Sequence, residues 1–196
     1  LIVETDSRPV LIAIAGPNGA GKSTFYEAHL SHLEFPFVNA DVIAKETSLG
    51  AYEAAAIAED IRRSRFANRE SFIFETVFSD PVGEKLSFLE AAATSGYNVV
   101  LVFVGVSDAE VSVDRVALRV LRGGHDVPKT KLMGRYPRTI ENLRLALQRL
   151  PLVRVYDNDD LRDPYRPCLQ TSRGEVIERV DPLPEWLVPL LPEPVH

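Results

Sequence analysis

"AIAGPNGAGKST" (residues 13–24) closes an apolar run with glycines, a lysine and two hydroxyls. Gly16, Gly21, Lys22 and Ser23 fit the spacing G-x-x-x-x-G-K-[ST] of a phosphate-binding loop. Glycines let the backbone wrap until successive N–H groups point inward at phosphate oxygens. A helix starting at Lys22 adds the positive end of its dipole. A nucleotide is therefore expected along Gly16, Pro17, Asn18, Gly19, Ala20, Gly21, Lys22, Ser23 and Thr24. Lys22 would reach the β and γ phosphates of ATP, and the Ser23 hydroxyl would ligate Mg2+.

Working outward, strand-like and helix-like segments alternate, the signature of an α/β sheet with parallel strands. Strands are expected at 10–16, 35–41, 71–78, 97–106 and 152–158. Helices are expected from Lys22 to about Leu33, over 51–70, and from Asp80-Pro81 to about Ser95. Ser107 and Glu110 read as a capping box for another helix, which runs to about Leu121. Leu132, Tyr136, Ile140, Leu143, Leu147 and Leu150 recur at steps of three and four and predict a further one. "CLQTSRGEVIERV" (168–180) reads as a hairpin turning near Arg173-Gly174. The last segment, with Pro182, Pro184, Pro189, Pro192 and Pro194, allows a short helix at most. The 196 residues read as one domain, with a core over 10–160 and a hairpin and tail over 161–196.

Carboxylates fall at two strand ends: Asp41 after "FVNA", and Glu75 in "FIFET". In an open α/β sheet the crevice lies off the carboxyl ends of the strands, beside the phosphate loop. Asp41 and Glu75 are expected to face a γ-phosphate from the acceptor side, where a carboxylate can take a hydroxyl proton. Arg115, Arg119 and Arg122 share one helical face, and Arg135 and Arg138 share another across the glycines of "RGGHDVP". Such a pair of basic helices suits a lid over transferring phosphates. His125 would shape that loop or touch substrate.

The chain carries a net charge of −6, which argues against a general nucleic-acid binder. No run approaches the ~20 apolar residues of a membrane span. A single cysteine, Cys168, excludes an internal disulfide and suits a cytoplasmic setting. No N-K-x-D stretch is present to read guanine, and no L-S-G-G-Q stretch as in transporter ATPases.

Taken in order, "AGPNGAGKST", "VNAD", "FETVFS", "RVALRVLRGGHDVP", "RYPRTIENL" and "YDN" resemble the zeta-toxin family of P-loop kinases, in its compact branch. The resemblance implies an adenylate-kinase-like P-loop NTPase fold: three layers, α/β/α, with a mostly parallel five-stranded sheet and a C-terminal β-hairpin. It implies transfer of the ATP γ-phosphate to a hydroxyl of a nucleotide-sugar such as UDP-N-acetylglucosamine, and a small antitoxin protein as a partner. It also implies roles: Asp41 as base, Lys22 with lid arginines Arg119, Arg122 and Arg135 at the γ-phosphate, and Asn39, Asp41, Glu75, Thr76 and His125 around the acceptor. A nucleotide or dinucleotide ribose hydroxyl is the alternative acceptor. A regulatory module that binds ATP without transfer is the alternative from another class.

Overall fold

Val10–Ala15, the run ahead of the glycines, forms β1, and every residue of it is buried. A strand apolar on both faces belongs at the centre of a sheet covered from both sides. The computed structural model describes residues 7–121, 123–124 and 126–191. After β1 come α1 (Lys22–His29), a 3-10 turn (Ser31–Leu33), β2 (Phe37–Val38), α2 (Ala40–Thr47) and α3 (Ala51–Ala67). Then follow β3 (Phe72–Thr76), α4 (Glu84–Thr94), β4 (Asn98–Gly105), α5 (Ala109–Leu121) and α6 (Lys129–Arg149). The chain continues through β5 (Val153–Asp157), β6 (Arg166–Ser172) and β7 (Glu175–Arg179) to a 3-10 turn at Val188–Leu190. Pro192 and Pro194 lie outside the described residues.

The strand order is β2-β3-β1-β4-β5-β6-β7. The first five run parallel, and β6 and β7 extend the same sheet antiparallel from β5. The expected five-stranded parallel sheet and hairpin are both present, the hairpin as a continuation of the sheet. It turns at Arg173 and Gly174, both with positive φ, as a two-residue turn requires.

One face of the sheet packs Leu86 and Leu89 of α4 and Leu143 and Leu147 of α6 against Phe74, Leu101 and Phe103. The other packs Phe25 and Leu30 against Ile12, Ile14 and Val102. Each such fully buried Leu or Phe contributes about 1.5–3 kcal/mol. β1 turns to β3 on one side and β4 on the other, so the order reverses at its carboxyl end. A crevice opens at such a point.

Four local readings need correction. The second strand is only two residues long, and Asp41 sits in the first turn of α2, a helix with no buried residue. At eight residues, with only Ala40 and Ile43 packed partly against the core, it is too short for a periodic pattern to announce it. The first helix stops at His29 rather than near Leu33. Asp80-Pro81 does not open α4; Gly83 holds the cap position, and Asp80 accepts from the Lys85 amide at 3.3 Å. The cap of α5 is Asp108, whose carboxylate accepts from the Glu110 and Val111 amides at 2.7 and 2.8 Å. Ser107 instead donates its amide to Asp159.

Candidate active site

The glycine turn is fastened from several sides. Gly16 has φ +142°, and a Cβ there would stand 2.1 Å from the Val104 carbonyl oxygen of β4. Asn158, buried just past β5, donates to the Ala20 carbonyl at 2.8 Å and accepts from the Tyr165 amide at 3.2 Å. The Tyr165 hydroxyl donates to the Gly21 carbonyl at 3.0 Å. Ser112 of α5 donates to the Asn18 carbonyl at 2.5 Å. The turn is thus held by contacts from within the chain.

Lys22 is buried at the start of α1, with its ammonium 3.0 Å from the Pro17 carbonyl and 3.6 Å from Glu75. Burial pushes its pKa down from the usual lysine value; Glu75 and Asp41 oppose that shift, and Arg119 adds to it. Register explains the Glu75 contact: β3 pairs with β1 so that Glu75 stands opposite Ile14, two residues from the first glycine of the loop. One carboxylate oxygen of Glu75 accepts from the Ser23 hydroxyl at 2.8 Å and from the Asn39 side-chain amide at 2.7 Å. Asn39 also caps α2, its side-chain oxygen accepting from the Asp41 amide at 2.8 Å. Lys22, Ser23, Asn39, Glu75 and Asp41 therefore form one connected arrangement.

The donor set suits a magnesium-bound nucleotide. Mg2+ keeps several waters and takes one or two protein ligands beside the phosphates. The Ser23 hydroxyl and the Glu75 carboxylate, hydrogen-bonded to each other at 2.8 Å, are the residues that would hold such an ion. Among the described residues no group of three His, Cys, Asp or Glu side chains could enclose a metal by itself.

A cavity of about 1660 Å3 runs from this loop to α3, α4 and α6. That exceeds the roughly 300–1,000 Å3 of a site for one small ligand. Asp41 lines it, mostly exposed, with its carboxylate 3.9 Å from the Arg119 guanidinium. Thr76, Arg115, Arg119 and Arg135 line it too, as do Gly123 and Gly124. Arg115 donates to the Asp159 carbonyl rather than pairing with its neighbour Asp114. Arg122 and His125 lie outside the described residues. The nine described lysines and arginines of the cavity wall outnumber its six carboxylates, although the chain as a whole is acidic.

The loop after β3 is shaped by α6. Arg138 donates to the Ser79 carbonyl, Thr139 to that of Val77, and Asn142 to those of Phe78 and Asp80, all within 3.1 Å. The Thr76 hydroxyl accepts from the Phe78 amide at 3.0 Å. Phe78 itself is buried with φ +61°, a conformation a bulky residue holds only when its surroundings enforce it. Asn158 and Tyr165 escaped the sequence reading of the site. The "YDN" of the fifth strand was the one signal pointing to Asn158, and Tyr165 offered none.

Residues 11–135 match the AAA_33 family, described as an AAA domain. The chain belongs to this family. Guanylate kinase of Clostridium perfringens is 24% identical over 208 residues, spanning 99% of this AAA_33 chain and 96% of the relative. Among solved structures, the complex AvrRxo1-ORF1:-ORF2 with ATP superposes with a TM-score of 0.65 at 14% identity, over 86% of this chain and 60% of that one. The PezAT chromosomal toxin-antitoxin system of Streptococcus pneumoniae gives 0.58 at 14% identity, over 96% and 78%. The AAA_33 chain is a P-loop domain of kinase-like α/β fold.

Proposed function

We propose that this chain is a single-domain, ATP-dependent kinase of small molecules, of the zeta-toxin type, acting on a hydroxyl of a nucleotide-sugar such as UDP-N-acetylglucosamine. The observation that carries the reading is Asp41. It is an exposed carboxylate in an open cavity, tied through Asn39 and Glu75 to the loop that holds Lys22. In the transfer, the acceptor oxygen bonds to the γ-phosphorus, its proton passes to Asp41, and the bond to the β–γ bridging oxygen breaks to release ADP.

Lys22 and the loop amides hold the β and γ phosphates, while Arg119, Arg122 and Arg135 balance charge on the transferring group. Mg2+ at Ser23, when bound, screens the phosphate charges. Glu75 serves that donor end through Ser23, rather than the acceptor side that the family resemblance implies. Asn39, Thr76 and His125 then border the acceptor.

An antitoxin partner is part of the proposal, since the structurally similar PezAT is a toxin-antitoxin system. The single buried cysteine supports a cytoplasmic setting. A nucleotide or dinucleotide ribose hydroxyl is the second reading; the guanylate kinase relative, which spans nearly the whole chain, supports it only as far as a nucleotide acceptor.

Mass spectrometry of a metabolite extract treated with protein and ATP tests these readings together. A phosphorylated nucleotide-sugar supports the first, and a newly phosphorylated nucleotide moves the assignment to the second. ATP consumed with no new phosphorylated compound would leave only a regulatory ATP-binding module.

A further inference from the structure

Along the α3–α4 wall of the cavity, three cations from two helices converge on one carboxylate. Arg62 and Arg63 of α3 and Lys85 of α4 all contact Glu59, Lys85 at 3.0 Å and Arg63 at 3.3 Å. Elsewhere the described ion pairs join one cation to one carboxylate, as in Arg65–Glu70, Arg144–Glu141 and Arg162–Asp160. Partial burial would raise the Glu59 pKa, but the Lys85 hydrogen bond and the Arg62 charge outweigh it and hold Glu59 ionised. One anion therefore faces three positive charges. Asp80 and Glu84 line the same wall, but among the described ion pairs neither is joined to Arg62, Arg63 or Lys85; Asp80 accepts from the Lys85 backbone amide instead.

The cluster is also built rather than merely solvated. The Arg62 side chain is 8% exposed, and its guanidinium lies 5.2 Å from the centre of the Phe74 ring, one residue before Glu75. A fork fixed against an aromatic ring loses little freedom when it binds an oxyanion. Lys85 and Arg63 keep 20% and 71% of their side chains exposed, so their charges reach the cavity.

We propose that Arg62, Arg63 and Lys85 form an anion subsite for a phosphate carried by the acceptor itself. The phosphorylated acceptor is then gripped at one end of the cavity while its hydroxyl meets Asp41. This rests on the transfer reading above, because it divides the cavity into a donor half and an acceptor half. Glu59 acts as the placeholder that keeps the three cations together.

Calorimetry tests the subsite without turnover. With the glycine turn saturated by Mg2+ and a non-hydrolysable ATP analogue, UDP is titrated against uridine, and GMP against guanosine. In at least one pair the phosphorylated member should bind about tenfold or more tightly than its nucleoside. Lys85→Met and Arg63→Met, which alter partly exposed side chains and avoid the folding risk of replacing Arg62, should each close much of that gap. Their affinity for the ATP analogue should stay unchanged. Equal binding within both pairs, or a gap that both variants leave intact, overturns the subsite. Failure of the transfer reading would show separately, as a wild-type chain that forms no phosphorylated product from any acceptor.

Discussion

The two halves of the cavity are built on opposite principles. The donor half is backbone, braced by side chains that arrive from distant parts of the sequence: Asn158 at Ala20, Tyr165 at Gly21, Ser112 at Asn18 and Glu75 at Ser23. The half proposed to take the acceptor is side chain. It is carried by α2, which has no buried residue, and by α3, whose buried residues are Ala54, Ala58 and Arg62. A phosphate is the same in every nucleoside triphosphate, so a fixed cradle suits it. An acceptor is read by charges on exposed helical faces, which can change without disturbing the core. Substitutions in the donor half should thus cost folding, and those of exposed side chains such as Asp41 across the cavity should cost only turnover or selectivity.

Gly16→Ala gives the largest expected effect. Its Cβ would lie 2.1 Å from a backbone oxygen of the central sheet, which has no room to yield. A loss of at least ~3 kcal/mol of unfolding free energy is expected in urea titration. Gly83→Ala is the control: its φ is also positive, but nothing lies within 4 Å of the added carbon. Its cost should stay near ~1 kcal/mol. Equal losses from the two would break the contrast between a braced turn and an open one.

Asp41→Asn should show the opposite pattern. Its side chain is 65% exposed, so melting should not move. Removing a general base typically costs about 10²–10⁴-fold in rate. ATP affinity should be kept, as read by calorimetry. Wild-type turnover in this variant would remove Asp41 from the chemistry.

The same division decides what the sequence could announce. The glycine turn, β1 and the apolar strands show themselves locally, because a central strand must be apolar throughout and a phosphate turn must have glycine at fixed spacing. The periodic face of α6 is legible for the same reason, and the helix runs on through Pro137. α2 is silent because its eight residues bring only Ala40 and Ile43 to the core, too few for a periodic trace. Asn158 is silent for another cause: its meaning is the Ala20 carbonyl, 138 residues away, and only the folded sheet brings the two together. Glu75 falls between these cases. Its place at a strand end could be read, but its tie to Ser23 depends on the register of β3 against β1.

Asn158→Ala sharpens the contrast at intermediate size. It strips the Ala20 carbonyl of its donor and the Tyr165 amide of its acceptor in a buried setting. A loss of about 1–3 kcal/mol is expected, with weaker ATP binding. Asn158→Asp keeps the acceptor for Tyr165 but buries a carboxylate oxygen against the Ala20 carbonyl, so it should cost at least as much as the alanine.

The smallest effect is a pH dependence at Lys22. Burial holds its pKa below the unfolded lysine value of 10.5, against the pull of Glu75 and Asp41. The unfolded chain therefore binds the proton more tightly. The free protein carries a penalty below the folded pKa that is relieved as pH climbs through it toward 10.5. Nucleotide phosphates need the charged form, so ATP affinity should run the other way, falling as pH rises through that depressed pKa. Opposite slopes for unfolding free energy and ATP affinity between neutral and alkaline pH would be the signature. Lys22→Met should flatten both. Parallel slopes would mean that the lysine is already charge-balanced by Glu75 at 3.6 Å. The donor half would then be neutral before the nucleotide enters, leaving the positive charge of the cavity to the acceptor half.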